Sequence, residues 1–194
     1  MKFLSLLVAA FLVSPLAVVA AEDSAPFPQL KTIDVPSPHF KIRVHYDPTI
    51  TTIVNAPFKG HGFSWTKVLT TKIDRKKNQI YEIRYTDGFS ADPTFLIFKN
   101  GEEKELGGFA GTELYLSGNG SVYVSGHTNN FYNQRSKFEL KGDKFVGVKQ
   151  PFYYVGLDSK ALRDITIYSD KKQTLPVANI PTGAKLSVLL NEGD

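Results

Sequence analysis

The 194-residue chain carries 23 Lys and Arg against 19 Asp and Glu, for a formal net charge of +4, and has no cysteine. Without cysteine there are no disulfides, thiolate metal ligands or Cys–His nucleophiles, so stability must come from a packed core. The basic residues are dispersed, with "DRKKN" (74–78) the one local cluster; that is the pattern of a solvated turn and excludes a nucleic-acid surface.

Met1 and Lys2 precede an apolar run from Phe3 to Ala21, interrupted only by Ser5, Ser14 and Pro15. One cation, an apolar stretch and the short side chains of Val19, Ala20 and Ala21 read as a secretory signal peptide over residues 1–21. The run lies near the lower limit of about 17–25 apolar residues for a membrane span. Pro15 and the small residues favour cleavage over an uncleaved anchor, so no membrane insertion is expected after processing. Processing removes one cation, Lys2, leaving 22 basic against 19 acidic residues. An exported β protein without cysteine fits a bacterial periplasm or secretome, and the absence of cysteine excludes a lipid anchor at the cleavage site. Residues 22–38 hold four prolines and no periodicity, a lead-in segment without regular structure of its own.

From residue 39 the texture changes to short apolar and aromatic runs separated by Gly, Asn, Asp and Pro. "FKIRVHY" (40–46) alternates, placing Ile42 and Val44 on one face and Arg43 on the other. "TKVLTTKID" and "NQIYEIRYT" flank the "DRKKN" turn as a hairpin, with Tyr81, Ile83 and Tyr85 opposite Glu82 and Arg84. Asn100-Gly101, Asn119-Gly120 and Gly142-Asp143 mark three further tight turns. No sustained 3.6-residue period follows the leader. The expected class is all-β, with a strand-rich sandwich or barrel body over 39–150 and a further β segment over 151–194.

In that last segment, "LRDITIYSD" (162–170) and "LPVANIPTGAKLSVLL" (175–190) lead through a Pro181-Thr182-Gly183 turn. The arrangement resembles the first part of the bacterial SH3-like (SH3b) domain family, in which a "yVt…LNVRsgPs" strand and loop precede a "vig-L-kkG-tkv-V" pair. The resemblance covers about 40 residues. It departs from the family where Asp164-Ile165-Thr166 replaces the Asn-Val-Arg signature, and the chain ends before the "GWv" closing strands. It implies a small β-barrel, completed by strands of the preceding body, that binds cell-wall or protein ligands without catalysis.

The residues that could carry chemistry are few. His39, His45, His61 and His127 show no HExxH or HxH spacing, so neither a metal nor a cofactor is expected. No GxSxG occurs, and Ser125 and His127 are next-but-one neighbours whose contact the sequence does not establish. Asp87, Asp92, Glu102, Glu103, Glu105 and Glu113 are the carboxylates available for glycoside hydrolysis, mostly in turn contexts that solvate them.

Binding is the better-supported function. Fourteen Phe, nine Tyr and a single Trp supply aromatic surface. Trp65, alternating with Phe63, is expected in the core, or else on an exposed stacking platform. In "PFYYV" (151–155), Phe152 and Tyr154 share one face, and Tyr153 and Val155 the other. The segment "HTNNFYNQ" (127–134) is eight residues between two strands, longer than the usual hairpin loop of about 2–5 residues. Its His127, Asn129, Asn130, Phe131, Tyr132 and Asn133, followed by Arg135, mix amides with aromatics in the manner of a glycan or peptide contact, and loops on rigid β scaffolds commonly carry such contacts. The plain alternative is that Asn and Gly satisfy turn geometry. The expectation is an exported, non-catalytic envelope protein recognising peptidoglycan, another glycan or a protein partner. The alternatives are a polysaccharide hydrolase with paired carboxylates and an assembly component that pairs through edge strands.

Overall fold

The computed structural model describes residues 29–60, 63–87, 92–126 and 133–192. The first strands are β1 (Lys31–Val35), β2 (Ile42–Tyr46), β3 (Thr51–Gly60), β4 (Phe63–Thr71) and β5 (Tyr81–Thr86). They are followed by β6 (Thr94–Lys99), β7 (Glu105–Ala110), β8 (Glu113–Leu116), β9 (Ser121–Gly126) and β10 (Gln134–Lys141). The last are β11 (Lys144–Val148), β12 (Phe152–Lys160), β13 (Ile165–Tyr168), β14 (Pro176–Ile180) and β15 (Lys185–Glu192). No helix occurs among the described residues, so the protein is all-β.

The body is a sandwich of two sheets. One is the six-stranded β1-β2-β8-β9-β10-β11, and the other is the five-stranded meander β3-β4-β5-β6-β7. The turns read from the sequence join adjacent antiparallel strands: "DRKKN" joins β4 to β5, Asn100-Gly101 joins β6 to β7, and Gly142-Asp143 joins β10 to β11. Gly101 and Gly120 take φ of +83° and +91°, a region open to glycine and costly to most side chains. The one parallel pairing joins β2 to β8, with Val44 opposite Leu114, and brings together segments separated by the whole second sheet.

Alternation decides which face each side chain takes. Ile42, Val44, Leu114, Leu116, Val122 and Val124 point inward from the six-stranded sheet. Val68, Leu69, Ile83, Tyr85, Phe95 and Ile97 meet them from the meander. A polar knot around the buried Asp47 ties the loop ends. Asp47 accepts bonds from Thr49 N (2.8 Å), Thr49 Oγ1 (2.6 Å) and Arg75 Nη2 (2.7 Å), and Arg75 also donates to the Ser117 carbonyl at 3.2 Å. Burial alone would raise the Asp47 pKa, but the Thr49 bonds and the Arg75 charge hold it below its ordinary value.

The C-terminal segment departs from the arrangement expected of a barrel completed by the body. β12 pairs only with β15, and β13 only with β14, so among the described residues no body strand enters either ladder. β12 is held to the body by side chains instead, as described below.

Candidate ligand-binding site

β9 and β10 pair with Gln134 opposite Gly126, Ser136 opposite Val124 and Phe138 opposite Val122. Because opposed residues share a face, Gln134, Ser136 and Phe138 all turn inward toward the meander. There they meet Phe109 of β7, whose ring lies 4.6 Å from Phe138 at 56°. Between them lies a half-open cavity of about 310 Å³, with Val124 as its floor and Gly126 and Gln134 at its rim. Two phenyl rings, one amide and one hydroxyl make a recess of mixed polar and apolar lining.

A glycine pair allows the sheets to close behind this recess. A Cβ on Gly126 would lie 2.5 Å from the Gly111 Cα, and one on Gly111 would lie 2.5 Å from a Val124 methyl. Only with both positions bare can Thr112 N reach the Ser125 carbonyl at 2.9 Å, which turns the chain from β7 into β8.

The opposite face of the same strands carries a column of planar groups. His45 stacks on Tyr115 at 4.2 Å and 9°. The Arg135 guanidinium lies 4.3 Å from the Tyr115 ring centroid and 4.6 Å from that of Tyr154 in β12. Arg135 also donates to the Tyr115 hydroxyl at 2.7 Å and to Ser125 Oγ at 3.0 Å. The Tyr115 hydroxyl in turn donates to Glu113 at 2.6 Å, and Glu113 pairs with Arg43. Burial, followed by the bond to Glu113, pushes the Tyr115 pKa well above that of an ordinary phenol. Arg135 thus clamps three body strands to the start of the C-terminal unit.

The residues anticipated from the sequence distribute as follows. His127, Asn129, Asn130, Phe131 and Tyr132 lie outside the described residues. Asn133 is exposed beside the recess, just ahead of Gln134 at its rim. Arg135 is adjacent in sequence but turned to the outer face, where its donors are engaged. Tyr153 is half-buried, with its hydroxyl accepting from Gln150 N at 3.3 Å. Trp65 is not in the inter-sheet core. It lies half-buried on the outer face of the meander, with Arg84 5.7 Å from its ring and Phe98 at 6.1 Å. That displacement follows from register, since Thr66 opposes the core residue Tyr85 and its neighbours therefore face out. Ser125 serves as an acceptor for Arg135. Of the carboxylates, Glu113 is taken by Arg43 and Tyr115, while Asp87 accepts from Ser37 at 2.9 Å and from Tyr85. Among the described residues no three metal-ligating side chains converge.

Gln134, Ser136, Phe138 and Phe109 are the functional candidates that sequence reasoning did not single out. The signal for the first three was present as the alternation Q-x-S-x-F from 134 to 138. What faces them from β7 depends on how the sheets stack, which one strand does not reveal. Fold and site together define a two-sheet β sandwich with an aromatic-lined recess at one edge. No protein-family model matches the chain, and neither the curated proteins nor the solved structures give a match.

Proposed function

We propose that the protein is an exported, non-catalytic binding protein of the bacterial envelope, recognising peptidoglycan, another glycan or an envelope peptide. The observation that carries this reading is the recess between β7 and β10. Its size falls at the small end of ligand pockets, which run from about 300 to 1,000 Å³, room for one sugar ring or one peptide side chain. Phe138, half-buried, offers apolar surface with the buried Phe109 ring packed behind it, and Gln134 and Ser136 offer a donor and an acceptor to fix orientation.

The test is calorimetric titration with soluble peptidoglycan fragments, alongside pull-down on the intact polymer and on envelope extract. Replacing Gln134 or Ser136 by Ala removes one anchoring hydrogen bond without opening the core. Each variant is expected to bind about tenfold more weakly, the equivalent of ~1.4 kcal/mol, with unchanged thermal stability. No binding by the unmodified chain, or undiminished binding by both variants, would remove the recess as the site.

A further inference from the structure

The C-terminal unit (151–192) leaves most of its apolar surface uncovered. Of its apolar side chains only Val155 and Ala161 are buried, whereas ten are more than a third exposed, among them Leu162 at 91% and Val177 at 63%. Six of the ten, Phe152, Tyr154, Leu157, Val188, Leu189 and Leu190, belong to the ladder β12–β15. A two-stranded ladder has no independent stability in water without further strands or an opposing layer. The ladder β12–β15 also concentrates its apolar residues on one face. Tyr154 opposes Leu190, Leu157 opposes Val188, and Phe152 and Leu186 continue the same row.

One edge of this ladder is β15, "KLSVLLNE", and it differs from most other sheet edges; β7 is bulged opposite Ile97 and Phe98, and β13, "ITIY", is as bare as β15 but only four residues long. β1 carries Lys31 and Asp34, and β11 opens on Lys144 with Lys149 just beyond it. β3 has a bulge between Ile53 and Ala56 and a proline at 57, β14 begins with Pro176, and β12 is bulged after Tyr154. Charges, prolines and bulges are the usual guards against edge pairing. From Leu186 to Leu190, β15 has none of them, and Val188, Leu189 and Leu190 are 37–58% exposed.

We propose that β15 pairs antiparallel with β15 of a second copy of this chain about a two-fold axis at Val188, giving a continuous sheet β12-β15-β15-β12. Antiparallel neighbours share a face, so the register must oppose residues of like parity. Centring on Val188 places Leu186 against the partner's Leu190, Ser187 against the partner's Leu189, and Lys185 against the partner's Asn191. Every inward apolar residue then meets an apolar one, and no like charges oppose each other. Shifting the centre to Leu189 would set Leu186 against the partner's Glu192, and centring on Ser187 would set Lys185 against the partner's Leu189. Of the three registers, the one centred on Val188 alone keeps Leu186 from a carboxylate and Leu189 from a cation, a fit that a second copy of the chain supplies to itself. The inference is independent of the ligand recess, which lies in the body.

Because the chain has no cysteine, Val188→Cys introduces a single thiol on the proposed axis. Opposed Cα atoms there are about 4.5–5.5 Å apart, within the roughly 4.4–6.8 Å that a disulfide spans. With oxidised glutathione, the full-length V188C chain is expected to form a covalent dimer, and L186C alone is not, while the L186C/L190C double variant is. Light scattering of the unmodified chain is expected to give twice the monomer mass. Val188→Lys, which opposes two cations at the axis, is expected to return it to the monomer mass with the thermal transition of the body unmoved. A monomer mass for the unmodified chain, or L186C crosslinking as fast as V188C, overturns the proposal, as does a dimer that V188K leaves intact.

Discussion

The body and the C-terminal unit are written in the same local code, alternating strands joined by Gly, Asn and Pro turns, yet they bury their side chains very differently. Every buried apolar residue except Val155 and Ala161 lies between Leu30 and Val124, and ten of the exposed large apolar side chains lie beyond residue 150. In the body each sheet is the cover for the other, so the central strands have one face removed from water while the edge strands β3 and β11 stay partly exposed. Among the described residues, β12–β15 and β13–β14 are single ladders to which no third strand is added. Strand formation and core formation are therefore separate achievements. Alternation supplies the first, and only an opposing layer supplies the second.

The sharpest way to break this comparison is to remove one large side chain from each region. Phe95, fully buried, is expected to cost ~3–5 kcal/mol when changed to Ala, through lost burial and the cavity left behind. Leu162→Ala, at a site 91% exposed, is expected to change stability by less than about 0.5 kcal/mol. Urea unfolding followed by near-ultraviolet circular dichroism measures both, and equal losses would show that the two regions share one core.

A smaller effect tests the corner behind the recess. Gly126→Ala places a methyl 2.5 Å from the Gly111 Cα, where neither backbone has a soft side chain to yield. The expected loss is ~1–3 kcal/mol, the range for overpacking a close contact. The same substitution at Gly147, whose nearest neighbours are 3.8 Å away, is expected to cost far less and serves as the control.

The smallest effect is a pH dependence that includes two buried carboxylates of the body. Burial alone would raise the pKa values of Asp47 and Glu82, but hydrogen bonds and neighbouring cations lower both, from Thr49 and Arg75 in one case and Lys67 and Arg84 in the other. A carboxylate lowered in the folded state adds stability above its unfolded pKa, and that stability is lost as the pH falls through the folded value. Stability should accordingly hold down to about pH 4 and decline below it. Glu82→Gln should flatten that decline, read as a smaller shift in melting temperature between pH 5 and pH 3.

Much of the fold was legible in the sequence, for local reasons. The alternation in "IRVHY" and "YEIRYT" assigned Ile42, Val44, Ile83 and Tyr85 to the inner face, because successive strand residues point in opposite directions whatever the sheet does next. Asn100-Gly101 and Gly142-Asp143 marked hairpins because few other residues tolerate positive φ. Trp65 was less legible. Its spacing from Phe63 showed that the two alternate, but which face was the core depended on the pairing of β4 with β5.

The candidate site was half legible. Residues 127–134 drew attention by loop length and amide content; 127–132 lie outside the described residues, and Gln134, at the end of that stretch, lines the recess. Its far wall, Phe109, comes from a strand that never pairs with β10 and meets it only across the sandwich. The Tyr115–Arg135–Tyr154 column likewise joins three strands through ring and guanidinium contacts. The sequence by itself determined strand content, turn positions and the inward set of each strand, since those follow from the backbone and a two-residue period. Only the tertiary structure decided which strands became neighbours, where the sheets failed to close, and which edge of the C-terminal unit stayed open. Those outcomes depend on contacts between residues far apart in the chain, whose loop-closure cost is met only when a whole layer buries its face at once.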